Sequence, residues 1–535
     1  MSSAAREGRG RGAPRSRNGC WTCRERKVKC DEQTPSCHRC THAGRDCTYA
    51  VPPGRLKRVL KTPSVSTAAS PGSVASPVAA RGTPAITSPL SSATNDDATN
   101  DHIIRYYKEQ YLSFLMTKSP EWSFVSGIVY LGRTNSAVMS LIMANVQFQA
   151  SGVQLLPPSP HDYRLQALQH YQSGLHDFSA LVASREYDPL TLLSALFLLV
   201  QFELRHSDHV DGITSHLQAF GAAILAYGGS LIPGLRRDDE SPNIPYHNVL
   251  NRLGLWLVYM DAVASTWDLG GAVLDGVLSS FPPATLDRVF SESREAGQEI
   301  WGASYPTAEA LDDLQNRPAF DLYHAAHLLR YNVARYRRAV NDQTQEESTE
   351  GLQQTIEEMI AKLYRDHNLL LQIAAQWPER VTAADAPTPT SPVSRIVLNL
   401  HFIVPFFLAS VVEFDCIVNH QSSPTSPSSS PPSASLPRTT AAINDIINIA
   451  AIVHETEQPN AMCRLAWPLF VATTSAPPST SFAHQSWILG RFAALSQFGT
   501  NYSRAHSLLK EVIREQRITG SRVPYRQWIK DKFIL

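Results

Sequence analysis

Six of the chain's eight cysteines fall between Cys20 and Cys47, in the spacing Cys20-x2-Cys23-x6-Cys30-x6-Cys37-x2-Cys40-x6-Cys47. No other stretch limits the fold so tightly. The second three cysteines repeat the first three at an offset of 17 residues, so a pseudo-twofold is written into the chain. One tetrahedral metal would use four thiolates and leave two idle. Two metals need eight ligand positions, which six cysteines fill only if two of them bridge. The repeat then makes the equivalent residues Cys20 and Cys37 the bridging pair. Zinc suits thiolate donors and brings no redox chemistry. The stretch has so few apolar side chains that metal binding and folding should be one event. No apolar segment follows Met1, which argues against a secretory signal and against disulfides, the other use of so many cysteines.

The two halves differ in charge. Arg24, Arg26, Lys27 and Lys29 in the first half correspond to Thr41, Ala43, Gly44 and Asp46 in the second. The first half suits phosphates and base edges, and the second reads as mainly a support. The formal net charge of +0 conceals the same asymmetry. Residues 1–61 carry 15 Lys and Arg against 5 Asp and Glu, leaving 33 against 43 for the rest. A basic head on an acidic body points to a polyanionic partner.

The stretch CWTCRERKVKCDEQTPSCHRCTHAGRDC resembles the fungal zinc binuclear cluster DNA-binding domain in its basic run, its cysteine spacing and Pro35 in the joining loop. The resemblance implies two zinc ions held by Cys20, Cys23, Cys30, Cys37, Cys40 and Cys47. It implies double-stranded DNA with a CGG-type triplet as partner, contact with the transcription machinery and a nuclear location. It also implies that Lys27 reads the triplet, with Arg26 beside it as a second candidate reader, and that Arg24 and Lys29 contact phosphates. A storage or purely stabilising cluster would not need the basic run.

Residues 1–19 form a basic arm (Arg6, Arg9, Arg11, Arg15, Arg17), expected to be disordered, ahead of the cluster at 20–47. Residues 48–100 are Pro/Ser/Thr/Ala-rich and read as a disordered linker. Its Ser/Thr-Pro pairs, at Thr62, Ser70, Ser76, Thr83 and Ser88, read as stiff filler before kinase sites. The arm and the run Arg55, Lys57, Arg58, Lys61 offer nonspecific phosphate contacts, an import signal or solvated tails. No heptads lie between Ala50 and Asn100, and Val51-Pro52-Pro53-Gly54 would block a coiled coil at once. Either the body forms a homodimer or the chain binds a single triplet.

From 101 to 535 helical periodicity takes over, and no convincing strand pattern is present, so the body is expected to be all-α. Leu165, Leu168, Tyr171, Leu175, Phe178 and Leu181 trace one helix face. Leu192, Leu196, Leu199 and Val200 trace a second. Val210, Ile213, Leu217, Phe220 and Ile224 trace a third, ended by Gly228-Gly229. Ile104, Tyr107, Tyr111 and Phe114 form a short aromatic pattern expected to pack on the body. Later patterns run from Leu322 to Val340, Leu352 to Ile373, Ile396 to Phe414, Ala441 to Val453 and Phe482 to Ile513. Residues 421–437 read as a disordered loop between helices. Ile396–Val412 is the most apolar stretch, but Asn399, His401, Pro405 and Ser410 mark it as a buried core helix rather than a membrane span.

The body resembles the fungal-specific transcription factor domain at His170-Tyr171, Leu190 to Glu203, His216-Leu217, Trp256 through Asp261 to Ser265, Trp467-Pro468-Leu469-Phe470 and Leu508 to Val512 through Trp528. Ile513 departs from the family, where Trp is common. The resemblance implies a regulatory body. His170, His216 and Trp467 read as core or capping residues, Cys416 and Cys463 as buried thiols. Asp238-Asp239-Glu240 and Glu346-Glu347 read as solvated loops. No phosphate-cradling glycine loop, metalloprotease His pair or nucleophile elbow is present, so an enzyme is not expected. The rival reading is a metabolite-binding or enzymatic helical body that the zinc module tethers to chromatin or a partner. Fusing the body to a heterologous DNA-binding domain separates the two: transcriptional output favours the first, and its lack alongside ligand binding or turnover favours the second.

Overall fold

The structure is a computed structural model that describes residues 20–47 without 21, 24, 25, 27, 32, 34, 35 and 46. It describes the body from Lys118 to Leu535 without 133–134, 154–162, 185–187, 207–210, 237–243, 343–345, 377–391, 422–434, 458, 477–481 and 530–532. The basic arm, the linker 48–100, the pattern from Ile104 to Phe114 and Asp238–Glu240 lie outside the described residues. The chain divides into two compact units, Met1–Arg81 and Gly82–Leu535.

Among the described residues there is no strand. In the first unit Thr22 and Cys23 are helical, and a short helix, α1, spans His38–His42. The body begins with α2 (Phe124–Gly132), α3 (Ser136–Val153), α4 (Tyr163–Ser184), α5 (Pro189–His206) and α6 (Asp211–Tyr227). Next come α7 (His247–Ser265), α8 (Ala272–Ser280), α9 (Thr285–Ser293), α10 (Ala296–Trp301) and α11 (Thr307–Asp342). The remainder is α12 (Glu346–Asp366), α13 (Asn368–Gln376), α14 (Pro392–Gln421), α15 (Ser435–Thr456), α16 (Ala466–Ser475), α17 (Phe482–Leu495) and α18 (Thr500–Thr519).

The all-α expectation holds, with informative departures. The stripe expected on α4 faces the core only in part: Leu165 is 55% and Leu168 45% exposed, while Tyr171, Leu175 and Phe178 pack against the core beside the buried Ala167 and Gly174. The reason is close packing on α3. A Cβ on Gly174 would stand 2.7 Å from Leu141 Cγ, so small residues let the two helices approach. The faces expected on α5 and α6 are buried at Leu192, Leu196, Leu199, Val200, Ile213, Leu217, Phe220 and Ile224, while Val210 lies outside the described residues. Two long patterns are each split. Leu352–Ile373 breaks at His367 between α12 and α13, and Phe482–Ile513 breaks before α18. There, a Cβ on Gly499 would stand 2.6 Å from the Arg205 carbonyl oxygen. Glu346 and Glu347 open α12 instead of lying in a loop. Gln421 and residues 435–437 are helical, while 422–434 lie outside the described residues.

The most apolar stretch sits inside α14, where Leu400, Ile403, Val404, Phe407, Leu408, Val411 and Val412 are all buried. This helix is long and apolar enough to cross a membrane by length and composition, yet it packs against α11, α13, α15 and α16. Its contact with α11 is parallel. Arg395 donates to Glu309 (2.7 Å) and Asp312 (3.0 Å), and Asn399 donates to Asn316 at 2.7 Å. Tyr323 meets the Phe402 and Phe406 rings, and Arg337 donates to Glu413 at 2.9 Å. On α11 the partners Glu309, Asn316, Tyr323, Arg330 and Arg337 fall every seventh residue. This is a heptad seam with charged ends and an aromatic middle. Buried polar pairs at fixed positions favour one register, because a shifted helix would strand them.

Of the expected core or capping residues, Trp467 is buried beneath the Arg330 guanidinium, whose Cζ lies 3.5 Å from the ring centroid. His170 and His216 are partly buried, and burial lowers both below the usual histidine range. Asp261 accepts from Gly271 N (2.8 Å) and Leu274 N (3.0 Å), tying α7 to the start of α8. Cys416 and Cys463 are free thiols, half-buried instead of fully buried, and burial raises both.

Candidate metal centre and nucleic-acid interface

The six clustered cysteines converge although no two are closer than three residues in sequence. Cys20, Cys23, Cys30, Cys37 and Cys40 are buried and Cys47 is half-buried, with Val28 packed against them. Their sulfurs form two groups of four, each within 4.8 Å: Cys20, Cys23, Cys30, Cys37 and Cys20, Cys37, Cys40, Cys47. The groups share Cys20 and Cys37. These are the equivalent residues that the 17-residue repeat pairs.

The spacings fit zinc. Four sulfurs about 2.3 Å from a central ion lie about 3.8 Å from one another. Cys20 Sγ lies 3.7 Å from Cys37 Sγ, Cys23 Sγ 3.7 Å from Cys37 Sγ, and Cys20 Sγ 3.6 Å from Cys40 Sγ. The unshared pair Cys23 and Cys40 lies 3.9 Å apart, so the whole set is compact. All six are free thiols.

Backbone N–H groups aim at the sulfurs with the symmetry of the sequence. Cys20 N donates to Cys30 Sγ at 3.4 Å, and its equivalent Cys37 N donates to Cys47 Sγ at 3.2 Å. Cys23 N donates to Cys20 Sγ and Cys40 N to Cys37 Sγ, both at 3.4 Å. Such donors stabilise thiolate charge and fix ligand direction. Burial pushes the shared thiols up. The N–H of Cys23 for Cys20 and of Cys40 for Cys37, helped by neighbouring thiols, brings both below the ordinary thiol value. Burial and neighbouring thiols raise the unshared Cys23 and Cys40, the latter to about 12.

The turns that follow each Cys-x2-Cys pair also repeat. Val28 N donates to Cys23 O (3.1 Å) as Arg45 N donates to Cys40 O (3.0 Å). In the second half Gly44 adopts φ +58°, and its N–H reaches Thr41 O, closing α1 in a Schellman turn. Arg26 and Lys29 are exposed, with Arg26 N donating to Thr22 O at 3.2 Å. Arg24 and Lys27 lie outside the described residues.

Sequence reasoning missed Asp31. Its carboxylate accepts from His38 N at 2.9 Å, at the start of α1, across seven residues. Burial alone would raise Asp31, but the N–H groups of His38 and Arg39 and the Cys37 thiol hold it below the usual carboxylate range. The signal was a short acid directly after a ligand, visible only once the second helix is known to begin at His38. Asp31→Ala should lower zinc affinity by about tenfold, measured by release to a competing chelator, while Asp31→Asn should retain most of it.

Two family models match the chain: the fungal specific transcription factor domain over residues 102–532 and the fungal Zn(2)-Cys(6) binuclear cluster domain over residues 18–56. Among curated proteins, the chain is 60% identical over 35 residues to "Transcription factor lfc1" of Flammulina velutipes, which is 6% of this chain and 12% of that one. It is 52% identical over 48 residues to "Sterol uptake control protein 2" of Candida albicans, 9% of this chain and 6% of that one. It is 46% identical over 43 residues to "Lysine biosynthesis regulatory protein LYS14" of Saccharomyces cerevisiae, 8% of this chain and 5% of that one. The chain thus spans only about an eighth or less of the length of these relatives. No solved structure matches.

Proposed function

Because this chain belongs to the family of the fungal specific transcription factor domain, joined here to a fungal Zn(2)-Cys(6) binuclear cluster, we propose that it is a sequence-specific DNA-binding regulator of RNA polymerase II transcription. The observation that carries this is the pair of four-sulfur groups sharing Cys20 and Cys37, within a sequence whose first half carries four cations, Arg24, Arg26, Lys27 and Lys29, that the second half does not repeat. Zinc binding follows from the family. Two ions are our reading, one per group, and when bound they supply the crosslinks that a stretch without a hydrophobic core lacks. The chain's own part is to present its cations rigidly. Lys27 donates to guanine O6 and N7 of a CGG-type triplet, with Arg26 beside it, while Arg24 and Lys29 lie against phosphates.

The domain plan is a basic arm at 1–19, the cluster at 20–47, a linker at 48–100 and the regulatory body at 101–535. The family implies a nuclear location and a body that is not an enzyme. We assign to the body the contacts with the transcription machinery and, in the absence of linker heptads, homodimer formation. The buried packing of α14 supports a body that does not use this helix to span a membrane.

Lys27→Ala should cost about 1–3 kcal/mol on a cognate site while sparing scrambled DNA. Equal losses on both would remove Lys27 as the base reader. Arg24→Ala or Lys29→Ala should weaken binding on every sequence and reduce the salt slope by about one each, and an unchanged slope would refute their role.

A further inference from the structure

We propose that the second half of the cysteine cluster is a phosphate clamp in its own right, gripping the DNA backbone through Arg39 and Arg45 while the first half reads bases. This rests on the DNA-reading function above, and it changes the role of the second half from support to contact.

The four cationic positions of the first half map through the 17-residue repeat onto Thr41, Ala43, Gly44 and Asp46, which is why the second half looks inert. Its own basic side chains stand elsewhere. His38, Arg39, His42 and Arg45 correspond to Trp21, Thr22, Glu25 and Val28. The structure leaves all four exposed. Neither Arg39 nor Arg45 makes an ion pair or a side-chain hydrogen bond among the described residues. The backbone fixes where they stand. Asp31 holds the start of α1, so Arg39 sits on its first turn. Gly44 reverses the chain and returns Arg45 N to Cys40 O, so Arg45 stands against the end of the same helix.

Two exposed guanidiniums on a helix and turn tied to metal-ligand cysteines have a chemical profile. They are permanently charged, arranged for bidentate contact with phosphate oxygens, and carried on backbone that costs little further ordering. The occupant that fits is the sugar–phosphate backbone of the duplex engaged by the first half. Charges at non-equivalent positions of a pseudo-twofold unit let the halves face different parts of one duplex instead of competing for the same groove. Such contacts position without specifying sequence.

The test uses the full zinc-loaded chain and measures affinity for a selected duplex and a scrambled one across salt concentrations. Arg39→Gln with Arg45→Gln should reduce the salt slope by about two and weaken binding at 0.15 M salt by about thirtyfold, equally on both duplexes. Arg39→Lys with Arg45→Lys, which keeps the charge, should restore the slope. Zinc content per chain reports whether the cluster still forms. A glutamine pair that holds zinc and leaves the slope unchanged overturns the clamp while leaving base reading intact. A loss confined to the selected duplex also overturns it, because that is the signature of a base contact. Failure of the unsubstituted chain to bind either duplex would instead strike the DNA-reading function itself.

Discussion

Cys20→Ala and Cys37→Ala should each strip the cluster of nearly all its zinc, whereas Cys30→Ala and Cys47→Ala should each leave about half. The difference follows from sharing. Cys20 and Cys37 belong to both four-sulfur groups, while Cys23 and Cys30 belong to one and Cys40 and Cys47 to the other. Removing a shared sulfur leaves two sites with three ligands each, and removing an unshared one leaves a complete site beside a defective one. Structural zinc in small modules contributes about 10–16 kcal/mol of apparent folding free energy. Few single changes to this chain should cost as much. Zinc per chain, measured by atomic emission on purified variants, decides the matter. Equal retention in Cys20→Ala and Cys30→Ala would mean that the pair is not shared.

Glu413→Ala is the second large effect expected, and it lies in the body. Glu413 accepts from Arg337 Nη1 at 2.9 Å and also from Arg526, which donates to Thr266 O at 2.8 Å. Arg337 has a second partner in Asp268, at 2.9 Å. Two guanidiniums therefore share one buried carboxylate at the end of the α11–α14 seam, where the turn Tyr525–Trp528 joins it. Removing the carboxylate leaves desolvated positive charge, and breaking a buried pair from one side costs about 3–5 kcal/mol. The midpoint of urea unfolding of the full chain should fall accordingly, and protease sensitivity beyond Gly520 should rise. A midpoint within error of the parent would show that Arg337 and Arg526 find other partners.

How much of this was legible in the sequence depended on how one-sided each signal was. The cluster was most legible, because metal valence and a repeat leave few ways to use six thiols. Helix α6 was legible because it buries one regular stripe, and α5 because its apolar run from Leu192 to Val200 is buried without a break. Helix α3 was not picked out, since it is buried around Val138, Leu141, Ile142 and Val146 while also burying Asn145, Gln147 and Gln149. The period of α4 was read correctly and its inward face only in part: Tyr171, Leu175 and Phe178 do pack on the core, but the closest approach is made at Gly174, and small side chains carry little hydrophobic signal. The seam of α11 escaped because its heptad positions are filled by Glu309, Asn316, Tyr323, Arg330 and Arg337, an order that no apolar pattern detects. Asp31 and the exposed arginines of the second half were hidden for another reason. Their meaning lies in where α1 starts and how Gly44 ends it, and spacing alone does not report that.

The most direct test of the whole account is a selection of random duplex DNA by the full chain, run with and without a strong zinc chelator. Enrichment of a CGG-type triplet that vanishes on chelation is expected, and the recovered spacing of triplets would give the oligomeric state of the bound form. A zinc-loaded chain that enriches no sequence, or an enrichment that survives removal of the metal, would contradict that expectation.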